Sequence, residues 1–321
     1  MSNSILKSIL VGAFYTKIKV FFSNDKLSAR RREKMYINDI IDVNLAHSKM
    51  KELINSENPI MIARYGFNEA AIVGMNCFYN KFGFFPRRYG KIGKFFYSNA
   101  GFFSKDGTIS NSDIDKFARL ITEDAGYADM IGIHYGLFED YLINAFSPKA
   151  ILTEFNNLRI MASDDSWGKA LTGKKVLIVY PFEKSIRNQY QRIEKVWNGL
   201  DIVPNFELVT YKPVQSIAYN KTVYKDWFEA LNKMKADIAK IDFDIAIIGA
   251  GAYGFPLAAE CKRMGKKAIH LGGQTQLIFG ILGKRYEEIE YYKKFINEYW
   301  VHPLEEEKPK SYSTIEGGCY W

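Results

Sequence analysis

The sequence predicts an α/β protein: a mainly parallel sheet with helices on both faces, preceded by an N-terminal helical segment. Three observations carry that expectation. Short apolar runs, such as Pro59 to Ala63, Lys175 to Tyr180 and Phe243 to Ile248, alternate with stretches of helical spacing. The stretch Asp242 to Gly273 reads as a complete strand–helix–strand unit, with a glycine turn, a helix opened by Pro256 and closed at Gly265, and a second strand from Lys267 to Leu271. No internal repeat, low-complexity stretch or interdomain linker interrupts the alternation.

A chain of 321 residues, 47% hydrophobic and 25% charged, can bury a substantial core. Cys77, Cys261 and Cys319 have neither pairing parity nor metal-ligand spacing and suit a reducing cytoplasm. His47, His134, His270 and His302 are scattered, so no histidine-based metal cluster is expected. The net charge of +8 fits nucleic acid, an anionic membrane surface or phosphorylated substrates. No nucleic-acid-binding motif accompanies it, and no nucleic-acid partner is expected. The aromatic content of 15% suits carbohydrate contacts or an ordinary core.

Residues 1–35 form an amphipathic basic segment. Lys7, Lys17 and Lys19 interrupt its apolar run and argue against a spanning helix, while Arg30, Arg31 and Arg32 suit the cytoplasmic leaflet. A terminal helix packed on the domain is the alternative. The main domain is expected over 36–303. From Tyr36 to Asn55 the spacing of Ile37, Ile40, Ile41, Leu45 and Leu53 is helical. Pro59 begins a strand that runs into Arg64-Tyr65-Gly66-Phe67-Asn68-Glu69, where a helix resumes. Glu69 then stands in a first helical turn, either as a structural cap or at a ligand. Cys77 to Phe103 reads as a long loop whose Arg87, Arg88, Lys91 and Lys94 meet a pyrophosphate or form a solvated face.

Ser110 or Ser112 caps the next helix, and MIGIHY is a strand ending at His134 and Tyr135. A short helix, a strand AILTEF and a turn with Asp164 and Asp165 follow; capping explains these carboxylates better than a metal. After the strand to Tyr180, Ser185 reads as an N-cap, with Gln189 and Arg192 near the strand end. Ile186, Tyr190, Ile193, Val196 and Trp197 form a core stripe. FELVTYKP is a strand followed by Gln215 and Ser216, and Tyr224 to Ile241 is a helix. Residues 304–321 read as a tail.

The turn Gly249-Ala-Gly251-Ala-Tyr253-Gly254 satisfies G-x-G-x-x-G between a strand and a helix. It fits a plain tight turn, a nucleotide or nucleotide-sugar site, or a dinucleotide site. The last wants an acid at the end of the second strand, roughly 20 residues on. Ile269, His270 and Leu271 stand there, so NAD is not expected. In a Rossmann-like sheet, groups after the strands converge on one edge. That gathers Arg64 and Glu69, Gly66 and Asn68, His134, Ser185 with Arg192, Gln215 and Ser216, Gly249, Gly251, Tyr253 and Gly254, then His270, Gly272 and Gln274.

Arg64-Tyr-Gly-Phe-Asn-Glu69 resembles the R-[FY]-G-D-G-E element of the GT-D type of bacterial glycosyltransferase, and the Asp242 to Gly273 unit resembles that group's closing strand–helix–strand unit. The resemblance spans roughly Pro59 to Gly273. It implies a cytoplasmic enzyme, peripheral on the inner face of the membrane, that moves a sugar from a nucleotide sugar to a glycan or lipid-linked acceptor. Glu69 and Arg64 would be the catalytic pair, with the turn amides supporting the departing diphosphate and His270 and Gln274 contacting nucleotide or sugar. The resemblance also implies Mg²⁺ or Mn²⁺ at a D-x-E pair. Phe67 replaces the Asp of that pair, and a phenyl ring cannot ligate a hard cation, so Glu69 is the metal ligand if there is one. An NAD-dependent oxidoreductase and a non-catalytic glycan- or lipid-phosphate-binding protein are the alternatives.

Overall fold

The computed structural model describes residues 34–82, 96–104, 107–314 and 317–321. The basic N-terminal segment up to residue 33, and Arg87, Arg88, Lys91 and Lys94, lie outside the described residues. Eight strands form one sheet: β1 (Ile40–Ile41), β2 (Met61–Ala63), β3 (Met130–Ile133), β4 (Ile151–Glu154), β5 (Lys175–Val179), β6 (Glu207–Tyr211), β7 (Ile245–Ile248) and β8 (Lys267–His270). Their order is β1-β4-β3-β2-β8-β7-β5-β6, and every neighbouring pair is parallel.

Alternation along each strand divides the core in two, because successive side chains point to opposite faces. Met61, Ala63, Leu177, Val179, Ala246 and Ile248 pack under α2 (Phe67–Phe82), α3 (Asn111–Ala125), α4 (Glu139–Phe146), α6 (Trp227–Ile238) and α7 (Gly254–Arg263). Ile60, Ile62, Val176, Ile178, Ile245 and Ile247 pack under α1 (Val43–Asn55) and α5 (Glu183–Tyr190). Both faces are thus covered, as a parallel sheet requires. Strands β1–β4 form one half and β5–β8 the other, meeting where Met61 pairs with Ala268 and Ile62 with Ile269. The chain leaves β2 toward one edge of the sheet and β5 toward the other, which creates a switch point between them. Among the described residues no helix is long and apolar enough to cross a membrane.

Two expectations need correction. The helix read from Tyr36 begins only at Val43, capped by the Asp42 carboxylate, which accepts from the Asn44 and Leu45 amides. Ile40 and Ile41 instead form edge strand β1 against Leu152 and Thr153, and Ile37 is 71% exposed. The buried face of α1 is Ala46, His47, Met50 and Ile54. The loop expected from Cys77 starts later, since α2 continues to Phe82. Phe78 packs on Phe138 and Tyr141, with ring centroids 4.9 and 4.8 Å away, and that contact holds the extra turn.

His47 joins α1 to the turn after β4. Its Nδ1 accepts from the Trp167 amide at 3.1 Å, which leaves Nε2 to donate to the Asn157 carbonyl at 3.0 Å. Burial pushes its pKa down to about 4, so the native protein holds the neutral ring. The unfolded chain takes up this proton between roughly pH 6.5 and pH 4, and the stability contributed is complete above that window and lost as pH falls through it. In denaturant titrations, the advantage of the wild type over His47→Gln should shrink by about 2 kcal/mol between pH 7 and pH 5.

Candidate functional site

A cavity of about 420 Å³ runs along the carboxyl ends of the strands. Arg64 directly follows β2, and Phe67, Asn68 and Glu69 open α2. His134 follows β3; Phe155, Asn156 and Arg159 follow β4; Tyr180 to Phe182 follow β5. Gln215 and Ser216 follow β6, Gly249 to Gly251 follow β7, and Gly272 to Gln274 follow β8. The two junctions singled out in the sequence therefore share one cavity, because parallel strands deliver the chain to the same edge.

The glycine turn divides its tasks. The Gly249 amide bonds the Val179 carbonyl at 2.9 Å and continues the pairing of β7 with β5. Gly251 adopts φ +55° and borders the cavity with its main chain. Gly254, which opens α7, does not line the cavity; a Cβ there would strike the His270 imidazole, so this glycine lets helix and strand approach closely. His270 is correspondingly buried beneath the cavity floor rather than on it. Burial holds its pKa well below the usual histidine range, and the nearby Arg64 adds to that effect. Gly66 lies below the lining too, with the Glu69 carboxylate folded over its main chain.

Burial raises the pKa of Glu69, and the Arg64 charge opposes that rise. The Arg64 guanidinium lies across Gly272, donates to the Tyr65 carbonyl at 3.1 Å and has its Cζ 5.6 Å from the Phe155 ring centroid. Burial, then Arg64 and Arg159, push His134 down to about 3, so the ring is neutral near pH 7. It tilts against Phe155, with centroids 4.1 Å apart. Several buried polar atoms at this edge, Arg64 Nε, His134 Nε2, Arg159 Nε and Gln274 Oε1, have no hydrogen-bond partner within the described protein. Such groups are costly when nothing pairs with them, and their convergence suits a polar ligand. Ser216 and Tyr253 face each other across 3.1 Å, and Ser216 also bonds the Gly101 carbonyl.

Two expected contacts lie elsewhere. Helix α5 starts at Glu183 after the N-cap Phe182, so Ser185 is inside the first turn rather than at the cap. Its hydroxyl bonds the buried Glu307 carboxylate and accepts from the Leu304 amide at 3.0 Å. Arg192 follows the end of α5 and donates to Gln189 Oε1 at 2.8 Å, while Gln189 Nε2 ties down the Phe279 and Tyr299 carbonyls. The residues missed include Phe155, Asn156, Arg159, Arg285, Tyr286, Tyr292, Tyr320 and Trp321. Arg159 stands just past a strand end, the one signal that points to it. Phe155 directly follows β4, whereas Tyr286, Tyr292, Tyr320 and Trp321 come from the segment after β8, where no local pattern marks them. Cys319 and Trp321 of the expected tail are buried against the domain.

Among the described residues the cavity lining holds three guanidiniums, Arg64, Arg159 and Arg285, and one carboxylate, Glu69. Among the described residues no group of three or more His, Cys, Asp or Glu side chains is arranged to hold a metal ion. One carboxylate folded over its own helix start, beside a guanidinium, does not fit a protein-held Mg²⁺ or Mn²⁺, which needs several hard oxygen donors. The arrangement can instead neutralise a diphosphate with guanidiniums, present sugar-sized apolar walls and offer one basic carboxylate.

Gly272 has φ +59°, and the Arg64 guanidinium occupies the space where a Cβ would stand. Gly272→Ala should lower stability by about 1 kcal/mol or more, through left-handed strain, and displace Arg64. Thermal denaturation reads the first effect. Weaker pyrophosphate binding than in the wild type reads the second.

Searches against protein-family models, curated proteins and solved structures find no match to this chain.

Proposed function

We propose that the protein is a glycosyltransferase that moves a sugar from a nucleotide diphosphate sugar to a glycan or lipid-linked acceptor. The observation that carries this reading is the shared cavity at the sheet's switch point, where the Arg64–Glu69 junction faces the Gly249–Gly251 turn between aromatic walls. Arg64 and the turn receive the diphosphate, and the rings receive sugar and base. Glu69 takes the proton from the acceptor hydroxyl as that oxygen bonds the anomeric carbon. The bond from that carbon to the diphosphate breaks, its electron pair leaves on the phosphate oxygen, and Arg64 stabilises the charge. The basic N-terminal segment supports a cytoplasmic protein peripheral to the inner face of the membrane.

A second reading, binding of a glycan or lipid phosphate without turnover, is favoured by Phe67 at the place of the missing acid. A nucleotide sugar that binds the native state raises its melting point. At about a hundredfold excess over Kd the correct donor should raise Tm by roughly 5 °C. If no nucleotide sugar shifts Tm, the transferase reading falls. Glu69→Gln should cut transfer by about a hundredfold or more while the fold stays intact. Near-normal turnover in that variant removes Glu69 from the base role. Because the base must be ionised and burial raises its pKa, kcat/KM should rise with pH through a limb above the ordinary glutamate range, and the limb should vanish in Glu69→Gln.

A further inference from the structure

The Arg64 and Arg159 guanidiniums are carried by different strand ends, those of β2 and β4. Adjacent strands are about 4.8 Å apart, and β4 lies four positions from β7 in the sheet, so the chain leaves them roughly 19 Å apart. Arg64 is two positions from β7 and spans that gap toward the glycine turn, since its guanidinium reaches Gly272 after β8. Arg159 follows β4, a strand farther from β7 than the one that carries Arg64. A diphosphate, two phosphorus atoms bridged by one oxygen, is far shorter than the spacing between the ends of β4 and β7.

Arg159 is also prepared to meet an anion of its own. Its Cζ is 5.2 Å from the Tyr291 centroid and 5.0 Å from the Tyr292 centroid, which hold the planar group in place. It donates to Asn156 Oδ1, which leaves that amide's NH₂ as a further donor. Its Nε is buried without a hydrogen-bond partner, and no carboxylate lies within ion-pair distance among the described residues. A planar fork with a spare Nε–H suits bidentate contact with a tetrahedral oxyanion.

We propose that Arg159, on its tyrosine platform with Asn156, forms a second anion subsite that takes a phosphate group carried by the acceptor. The inference rests on the transferase reading for the word acceptor, but the subsite stands on its own geometry. The acceptor is then a phosphate ester of a glycan, either soluble or linked through phosphate to a lipid.

The test is calorimetric titration of the full chain with inorganic pyrophosphate. Wild type should bind two equivalents and Arg159→Gln one, with the remaining affinity changed by less than about twofold. Arg159→Lys, which keeps the charge and loses the fork, should weaken the same event by ~10-fold or more. A saturating nucleoside diphosphate, taken from the uridine, guanosine, adenosine and cytidine series, should block the other event only. A single equivalent in wild type, an unchanged stoichiometry in Arg159→Gln, or displacement of both equivalents by the nucleotide overturns the proposal. If no nucleoside diphosphate binds while the Arg159-dependent event persists, the donor reading fails and the subsite is upheld. Competition by a water-soluble sugar phosphate or by a polyprenyl phosphate in detergent micelles identifies the source. If neither displaces the Arg159-bound pyrophosphate, the assignment to an acceptor is overturned.

Discussion

The structure depends on parallelism. Every strand runs the same way, so each junction after a strand arrives at one edge of the sheet, and residues far apart in the chain become neighbours without any local design. Reversal of winding between the two halves then keeps the following helices from closing over the centre of that edge. The cavity is a product of topology before it is a product of particular side chains.

Onto that edge the protein brings more positive than negative charge. Arg64 and Arg159 both lie against aromatic rings, and while Arg64 has the Glu69 carboxylate nearby, Arg159 is in a partly desolvated setting in which a cation gains from rings but has no acid beside it among the described residues. Ion pairs elsewhere, such as Lys262 with Asp129 and Arg263 with Asp124, show that the chain has acids to spend on its cations. Among the described residues Arg159 has no carboxylate partner, which keeps it available to a ligand. The neutral His134 and His270 fit the same field, since a protonated imidazole beside Arg64 would add a third like charge in a buried place.

The sheet was legible because its strands are short apolar runs bounded by turns, and the glycine turn and the Arg64–Glu69 junction were legible because strand, loop and helix are contiguous there. What failed was information carried by distance. The two residues of β1 have no periodicity of their own, so Ile40 and Ile41 merged with the helical spacing that follows. Ser185 was read as a cap from its residue type, but its hydroxyl serves Glu307, 122 residues away. The far wall of the cavity, with Tyr286, Tyr292 and Trp321, comes from a segment whose partners are set only once the sheet exists. The placing of Arg64, Glu69 and the glycine turn at strand ends was readable; positions fixed by long-range packing were not.

The seam between the halves lies under the cavity, and there β2 meets β8 through the pairs Met61 with Ala268 and Ile62 with Ile269. Both strands are buried on both faces, so a shift by one residue would exchange the two cores. The smallest tolerable slip is therefore two residues, about 6.6 Å for parallel strands, which would carry Arg64 away from Gly272. The spacing between the halves has no intermediate settings. Adjustment to ligands of different length falls to the loops, while the floor behaves as a fixed gauge.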